Sequence, residues 1–298
     1  MKKYICIDIG GTSIKYGAIQ SQGEFLDTGE MPTEARQYGG SGILDKAGKI
    51  IKEYIREYSP QGICISTAGM VDCDAGKIIY SAPLIPNYTG TEIKKTLEET
   101  FCLPCEVEND VNCAGLAEYY AGAARGSKTS VCLTIGTGIG GAAVIDGKIF
   151  RGFSGSACEV GYMHLPGGQF QDLGAGSILV GKVAKSRGLC PSAINGITIF
   201  EDAKRGDAAC IQAIHEMVDI LGMGIANICY VLNPEVVVLG GGIMAQKEFL
   251  KEKIQTSLKK YLIPSVLDYT RLAFAENQNR AGMLGAYYNF IQRHPDNG

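Results

Sequence analysis

The chain has 298 residues, of which 46% are hydrophobic and 20% charged, and its formal net charge is −3. This length is sufficient for two domains with separate cores. Acidic and basic residues are interspersed, which excludes the strongly basic surface expected of a nucleic-acid or anionic-membrane binder. We therefore expect a small-molecule partner and no nucleic acid or membrane.

The N-terminal segment MKKYICIDIGG reaches an aspartate and a glycine turn within a few residues, which is not typical of a signal peptide. We also find no uninterrupted apolar run of the ~18 residues needed to span a bilayer. Four of the eleven cysteines lie in apolar runs, as small buried hydrophobic residues do: Cys6, Cys64, Cys132 and Cys229. The one CxxC pair, Cys102 and Cys105, lacks a second pair or nearby histidines, so packing is favoured over zinc or redox chemistry. These features predict a cytoplasmic protein.

The first forty residues alternate short β-rich runs with turns and predict an antiparallel meander: KYICIDI, IKYGAIQ and GEFLDTGEM. Helical periodicity follows over 42–58, then a buried strand over 62–66. A second helix is predicted to begin at the cap residue Thr91. Strands followed by helices indicate an α/β domain.

A second strand–turn–strand segment begins at residue 129. It matches the start of the chain at an offset of 132 − 6 = 126, aligning Ile9 with Ile135 and Gly10 with Gly136. The two halves are therefore predicted to be a duplicated unit. Further elements are a long apolar helix over 207–232, the strand EVVVLGGG and helices near 245–260 and 280–292. A hinge is expected near 108–125.

The segment DIGGTSIKYG has the features of a phosphate site at the end of a buried strand. Gly10 and Gly11 allow a tight turn with amides close to a phosphate, Thr12 adds a hydroxyl donor and Lys15 a cation. Asp8 would face Mg²⁺ through water, because magnesium retains much of its hydration shell. The alternative from this segment alone is a hairpin with a glycine turn and no ligand.

Two more glycine segments follow. IGTGIGG has the GxGxxG spacing of dinucleotide-binding folds, but the β-rich run AAVIDGKI follows it where such a fold would open a helix. A second phosphate-binding hairpin fits better, with Gly136, Thr137, Gly138 and Gly140. In VVVLGGGIM, Gly241 and Gly242 stand between a strand and a helix, where an adenosine could pack on bare backbone. A plain strand-to-helix turn explains that segment equally well.

Asn109 and Asp110 in VENDVNCA lie after a short strand and before a helix, which would place a carboxylate at the cleft between the halves. A carboxylate held on a hydroxyl can accept its proton during phosphoryl transfer. The alternative is that Asp110 only caps the helix that follows.

In this order the glycine segments resemble those of the sugar kinase, actin and heat-shock chaperone superfamily, over nearly the whole chain. Within it the chain most resembles the ROK family of bacterial sugar kinases and repressors. The motifs that carry the resemblance are DIGGTSIKYG (8–17), STAGMVD (66–72), VENDVNCAGLAE (107–118), IGTGIGGA (135–142) and GGGI (240–243). The resemblance implies an α/β, two-domain, actin-like ATPase (ribonuclease H-like) fold with a duplicated βββαβαβα-type unit and an interdomain cleft. The expected domains are 1–112, with a C-terminal helix of about 280–298 packed back on it, and 113–279.

The resemblance also implies MgATP as phosphoryl donor, Asp110 as general base and Asn109 as a ligand of the sugar. Glu159 matches a glutamate that binds sugar hydroxyls, and Asn87 in IPNYTG is a further candidate ligand that resembles the β-glucoside kinase subgroup. The expected acceptor is the 6-hydroxyl of a hexose or β-glucoside, and N-acetylmannosamine stays open. A homodimer is expected on the same basis.

The segment 154–180 departs from the family pattern. Tyr162 stands where a sugar-binding histidine is common, and Asp172 where a glutamate is common. The three cysteines that usually bind structural zinc between 164 and 172 are missing. Cys158 cannot replace them, and His164 is expected to be a surface or loop residue, so no zinc is predicted.

Other classes of protein fit the sequence less well. Repressors of this family carry a DNA-binding domain before the sugar domain, but here the first phosphate strand begins near residue 4. An iron–sulfur ATPase would suit the cysteine count but lacks clustered ligands. A sugar sensor without catalysis is disfavoured by the retention of Asp8, Asp110 and both glycine hairpins.

Overall fold

The computed structural model describes residues 1–81 and 85–295. The chain forms two compact units. Unit 1 comprises residues 1–120, 151–157 and 279–298, and unit 2 comprises 121–150 and 158–278. The helix Asp110–Ala121 is continuous across the position where the sequence suggested a domain boundary, after residue 112.

The strands are β1 (Lys3–Ile9), β2 (Ser13–Gln20), β3 (Glu24–Pro32), β4 (Ile63–Thr67), β5 (Met70–Asp72), β6 (Lys77–Tyr80), β7 (Cys105–Asn109), β8 (Thr129–Ile135), β9 (Ile139–Ile145), β10 (Lys148–Ile149), β11 (His164–Leu165), β12 (Gly168–Gln169), β13 (Val236–Gly240) and β14 (Arg271–Phe274). The α-helices are α1 (Ala35–Tyr58), α2 (Ile93–Phe101), α3 (Asp110–Ala121), α4 (Phe170–Gly174), α5 (Gly176–Ser186), α6 (Gly196–Lys204), α7 (Ala208–Leu232), α8 (Lys247–Tyr261), α9 (Pro264–Leu267) and α10 (Ala281–Arg293). Short 3₁₀ turns occur at Val160–Tyr162, Pro191–Ala193, Gly242–Gln246 and Gln278–Arg280.

The sheet of unit 1 has the strand order β3-β2-β1-β4-β7. β1, β2 and β3 are antiparallel, which confirms the predicted meander, and β4 and β7 extend the sheet in parallel with β1. Side chains of β1 alternate between two cores: Ile5 and Ile7 join the cluster that contains α1 residues, whereas Tyr4 and Cys6 join the one that contains α10 residues. Because both faces are covered, the strand is apolar along most of its length.

The sheet of unit 2 repeats this arrangement with the order β10-β9-β8-β13-β14. β8, β9 and β10 are antiparallel, and β13 and β14 extend the sheet in parallel with β8. The duplication predicted from the sequence is therefore confirmed, as are the α/β class and the burial of the four cysteines in apolar runs.

Two helix boundaries differ from the predictions. The first helix begins at Ala35 and not at residue 42, and it contains a kink at Gly39, whose φ is 59°. The prediction found only the regular part after this kink. The helix predicted to be capped by Thr91 begins at Ile93 without a side-chain cap, and the Thr91 carbonyl oxygen accepts from the Ile78 amide (3.0 Å).

The helix α7 matches the prediction of a long apolar helix, and Asp207 caps it by accepting from the Cys210 amide (2.8 Å). Within the described residues it is the one helix long and apolar enough, by length and composition, to cross a membrane, although His215, Glu216 and Asp219 interrupt its apolar residues. Half of its most apolar window is buried, and residues such as Leu221 and Ile225 form part of the core of unit 2. Such burial is typical of a core helix.

Candidate active site

The first glycine turn joins β1 to β2, and hydrogen bonds from Thr33 stabilise it. The Gly10 amide donates to the Ser13 carbonyl oxygen (3.0 Å). Thr33, fully buried after β3, donates its hydroxyl to the Gly10 carbonyl oxygen (2.7 Å) and its amide to the Thr12 carbonyl oxygen (2.9 Å). Two carbonyl oxygens of the turn are thereby tied to the protein. Because the Gly10 amide is hydrogen-bonded to Ser13, the amides of Gly11 and Thr12 are the ones that this arrangement favours for binding an anion. No local pattern in the sequence pointed to Thr33.

Asp8 lies near the carboxyl-terminal end of β1, beside this turn. Its Oδ1 accepts from the Ser66 hydroxyl (2.6 Å), and Lys15 is its cross-strand neighbour. Burial raises the pKa of Asp8, while the Ser66 hydrogen bond and the Lys15 charge act in the opposite direction. The α10 residue Gly282 packs directly on the carboxylate, and a Cβ at this position would overlap it.

Asn109, at the end of β7, caps the helix that follows. Its Oδ1 accepts from the amides of Val111 (2.9 Å) and Asn112 (3.1 Å), and its Nδ2 donates to the Gly69 carbonyl oxygen (2.9 Å) and to Asp110 Oδ1 (3.0 Å). Asn109 therefore performs most of the capping that the sequence left open for Asp110.

Asp110 begins α3 and keeps one oxygen uncommitted. Its Oδ1 accepts from the Val111 amide (2.9 Å) and from Asn109, whereas Oδ2 has no hydrogen-bond partner among the described residues. Burial, and secondly the charge of Asp8, raise the pKa of Asp110 from 3.8 to about 7, although the hydrogen bonds to Oδ1 oppose the shift. A half-buried carboxylate whose pKa lies near 7, and which has one oxygen without a described hydrogen-bond partner, is suited to accept a proton.

Asn87 lies on the surface of unit 1, in a left-handed conformation (φ 54°). Next to it Tyr88 is buried, with its hydroxyl 2.6 Å from the Thr67 hydroxyl at the end of β4. The kinked start of α1 approaches this loop closely: the Gly40 amide donates to the Pro86 carbonyl oxygen (3.1 Å). A Cβ at Gly40 would meet the Asn87 carbonyl oxygen, so a small residue is required there. No described contact joins Asn87 to Asp110.

The second glycine turn, between β8 and β9, has the same construction in unit 2. The Gly136 amide donates to the Gly138 carbonyl oxygen (2.9 Å), and the Ser177 hydroxyl, in α5, donates to the Thr137 carbonyl oxygen (2.6 Å). Gly140 follows within β9. Because the segment returns as a strand and opens no helix, the prediction of a hairpin is confirmed against the dinucleotide fingerprint.

The third glycine segment ends β13 and lies against this hairpin. Gly240 pairs with Thr134 of β8, and Gly241 has φ 96°, with a hypothetical Cβ overlapping the Ile135 carbonyl group. Gly242, at the start of a 3₁₀ turn, faces open space. The structure thus brings the second and third glycine segments together within unit 2.

Glu159, Tyr162 and Asp172 are exposed residues of unit 2. Glu159 precedes the 3₁₀ turn that contains Tyr162, whose amide donates to the Glu159 carbonyl oxygen (3.2 Å), and Asp172 lies in α4. The Gln171 side chain packs between the glycine hairpin and this turn, within 3.1 Å of a hypothetical Cβ at Gly138 and 3.0 Å of one at Gly161.

The short hairpin β11–β12 occupies the region where the family pattern would place zinc ligands. His164 is exposed on β11, which confirms its surface position, although it lies in a strand and not in a loop. Within residues 1–81 and 85–295, no group of three His, Cys, Asp or Glu side chains could hold a metal ion.

Sequence reasoning missed residues that act on the site through tertiary contacts: Thr33, Ser66, Ser177 and Gly282. Ser66 belongs to the motif STAGMVD, and its pairing with Asp8 in a parallel sheet was the signal that could have found it. For the others no local pattern exists, because each contacts a residue far away in the chain.

The sequence pattern that defines the ROK family matches residues 4–293. The chain belongs to the ROK family. An uncharacterized protein of Clostridium perfringens is 53% identical over 290 residues, 97% of this chain and 98% of that protein. A β-glucoside kinase of Klebsiella pneumoniae is 32% identical over 306 residues, 99% of this chain and 98% of that protein.

Among solved structures, a ROK family glucokinase from Streptomyces griseus in complex with glucose and AMPPNP superimposes with a TM-score of 0.84. The two sequences are 26% identical, and the match covers 98% of this chain and 99% of the glucokinase. The predicted family and the actin-like ATPase fold are thereby confirmed.

Proposed function

We propose that this protein is an ATP-dependent sugar kinase in which Asp110 is the general base. In this reaction a sugar hydroxyl gives its proton to Asp110 and its oxygen bonds to the γ-phosphorus. The bond from that phosphorus to the bridging oxygen of ADP breaks. Full-length similarity to a β-glucoside kinase and a glucokinase supports this reaction class.

The state of Asp110 is the observation that carries the proposal. Because Asn109 caps α3, the Asp110 Oδ2 atom is left for a substrate, and a pKa of about 7 leaves a substantial carboxylate fraction at neutral pH. A general base works best when its pKa lies near the working pH.

Asp8 would hold magnesium. Magnesium prefers oxygen ligands and retains several waters, so one carboxylate, oriented by the Ser66 hydroxyl, fits the ion. When bound, the ion would neutralise charge on the phosphates. Lys15 and the Gly10–Thr12 turn in unit 1, and the Gly136–Gly140 hairpin in unit 2, would bind the phosphates through amides and the Lys15 ammonium group.

Gly241 and Gly242 would accept the adenosine, since bare backbone at the end of β13 leaves room for a flat ring. Asn87, Asn109, Glu159, Tyr162 and Asp172 would contact the sugar. We infer the 6-hydroxyl of a hexose or β-glucoside as the acceptor, with N-acetylmannosamine as the alternative substrate. A cytoplasmic homodimer is part of the proposal.

The test is ADP release from MgATP in a coupled assay with glucose, mannose, fructose, N-acetylmannosamine, N-acetylglucosamine, cellobiose and gentiobiose. A sugar-dependent rate is expected, and the preferred sugar names the substrate class. If one sugar raises the melting temperature but no sugar stimulates ADP release, the protein is a sugar sensor and the kinase proposal fails.

The missing cysteines predict that the protein needs no structural zinc. The expected result of elemental analysis on protein purified without chelator is less than about 0.1 equivalent of zinc, and EDTA should leave the melting temperature unchanged. One tightly bound equivalent would contradict this prediction.

A further inference from the structure

Glu108 is a buried carboxylate directly before Asn109 and Asp110, and its role deepens the proposed function on which this inference rests. Its side chain is 1% exposed. Its Oε1 accepts from the Asn109 amide (2.8 Å), from Asn112 Nδ2 (2.9 Å) and from the Cys73 thiol (3.3 Å). Glu108 therefore holds the turn that carries the proposed base.

Arg151 neutralises this carboxylate. Its Nε and Nη2 donate to Glu108 Oε2 at 2.9 and 2.6 Å, and Nη2 also donates to Asn289 Oδ1 (3.0 Å) on α10. A buried carboxylate without a cation would become protonated or turn toward solvent, because burial of an uncompensated charge is costly. Arg151 thus compensates the charge of Glu108 and keeps its carboxylate in place as an acceptor.

The position of Arg151 in the chain is unusual. The chain leaves unit 2 after Phe150, residues 151–157 fold as part of unit 1, and the chain returns to unit 2 at Cys158. The segment closes on itself through the Ala157 amide and the Arg151 carbonyl oxygen (3.2 Å). The segment 151–157 thus supplies the cation that pairs with Glu108, since neither β7 nor α3 contains a lysine or an arginine.

We propose that Arg151 and Glu108 form a positioning pair for Asp110. Arg151 fixes Glu108, Glu108 fixes the Asn109 backbone, and the side-chain amide of Asn109 orients Asp110 through Oδ1. Arg151 has no described contact with Asp110, so its effect on the base is transmitted through Glu108 and Asn109. Small displacements of a reacting group are enough to lower turnover strongly.

The first experiment measures kcat, KM for the sugar and Kd for MgATP in Arg151→Met. We expect kcat to fall about tenfold or more while Kd for MgATP changes less than about threefold, since orientation and not nucleotide binding is lost. Arg151→Lys keeps the charge but not the planar pair of donors, so it should restore kcat in part.

The double variant Glu108→Gln/Arg151→Met distinguishes two effects: the loss of hydrogen bonds that position Asn109, and the cost of leaving the Glu108 charge buried without a cation. The neutral glutamine introduced at position 108 offers an amide oxygen to the Asn109 amide and to Asn112, and it leaves no buried charge. We expect kcat to recover to within about threefold of the wild type, because a neutral acceptor needs no cation.

Arg187→Met is the matched control. Arg187 in unit 2 also pairs with carboxylates, Asp202 (2.7 Å) and Asp207 (3.0 Å), and donates to the sulfur of Cys210 (3.2 Å). Its replacement should lower the melting temperature without changing kcat of the folded enzyme.

To test whether Arg151 acts through Asp110, Arg151→Met is also made in the Asp110→Asn variant. If it does, Arg151→Met causes no further loss of the residual turnover in this background. An unchanged kcat in Arg151→Met, or an equal loss in both backgrounds, overturns the positioning role. Near-normal turnover of Asp110→Asn alone would instead refute the proposed base, so the two failures are distinguishable.

Discussion

Units 1 and 2 repeat one sheet order, but equivalent strand positions carry different side chains. Asp8 of β1 pairs with Ser66 of β4, whereas the same positions in unit 2 hold Thr134 of β8 and Gly240 of β13. A carboxylate with a hydroxyl donor suits a hydrated cation, and an uncharged strand end next to a glycine suits a ring packed on backbone. The duplicated sheet is thus a common scaffold, and we expect the residues at its strand ends to determine the chemistry.

The two glycine turns, by contrast, are stabilised in the same way by unrelated residues. Thr33 ties the Gly10 carbonyl oxygen in unit 1, and Ser177 ties the Thr137 carbonyl oxygen in unit 2. Thr33 follows a strand, whereas Ser177 lies in a helix. Both halves therefore share a glycine turn that is held by a hydroxyl group. The difference between them is the pair of carboxylates, Asp8 and Asp110, that unit 1 carries next to its turn.

The largest expected effect, on kcat, comes from removing the Asp110 carboxylate of unit 1, and it is compared with removal of a carboxylate in unit 2. Asp110→Asn should lower kcat by about 10² or more while MgATP still binds, because an amide cannot accept the proton. Asp207→Asn, at the cap of α7 in unit 2, is the matched control and should keep kcat. Steady-state kinetics and calorimetric titration of MgATP measure both quantities. Turnover of Asp110→Asn within about threefold of wild type would end the assignment.

A second prediction concerns the packing of α10 on Asp8. Gly282→Ala places a methyl group on the carboxylate, so we expect a loss of about 1–3 kcal/mol in the free energy of unfolding and weaker MgATP binding. Gly181→Ala, where a Cβ meets no atom within 4 Å, should instead stabilise by about 0.5–1 kcal/mol. Urea unfolding of the two variants gives the comparison. Equal stability changes would show that α10 does not restrain Asp8.

A third prediction compares equivalent residues of the two units directly. Asp8→Asn should weaken MgATP binding about tenfold, whereas Thr134→Val should change it less than about twofold. Asp8→Asn should also move the acid limb of the kcat/KM profile to lower pH, since the Asp8 charge raises the pKa of Asp110. An unmoved limb would contradict the coupling between the two carboxylates.

The smallest expected effect is on stability as a function of pH. Burial and the Asp8 charge raise the pKa of Asp110 from 3.8 to about 7, so the folded protein retains a proton that the unfolded chain releases. Stability from this group is present at low pH and is lost as the pH rises through about 7. The variant Asp110→Asn has no carboxyl group to lose this proton. Its free energy of unfolding should therefore exceed that of the wild type by about 1–2 kcal/mol at about pH 8.5, with no difference below about pH 4. Urea titrations at both pH values decide this, and a pH-independent difference would refute it.

The sequence by itself determined the elements whose signals are local. Alternating β-rich runs and glycine turns predicted β1, β2 and β3, the matching hairpin β8–β9 and the duplication. Spacing and residue type also placed Asp8, Asn109 and Asp110 at strand ends, because a strand that finishes before a glycine turn or a helix exposes its last side chains. Glycine at Gly241 is required by a left-handed backbone that a local motif can encode.

Only the tertiary structure decided which side chains control those residues. Thr33, Ser66, Arg151 and Gly282 each act on a residue that is distant in the chain. The early start of α1 and its kink at Gly39 likewise depend on contact with the loop before Tyr88. Periodicity and capping rules describe neighbours in the chain. The pKa of Asp110 and the pairing of Glu108 with Arg151 depend on contacts and burial that exist only after folding.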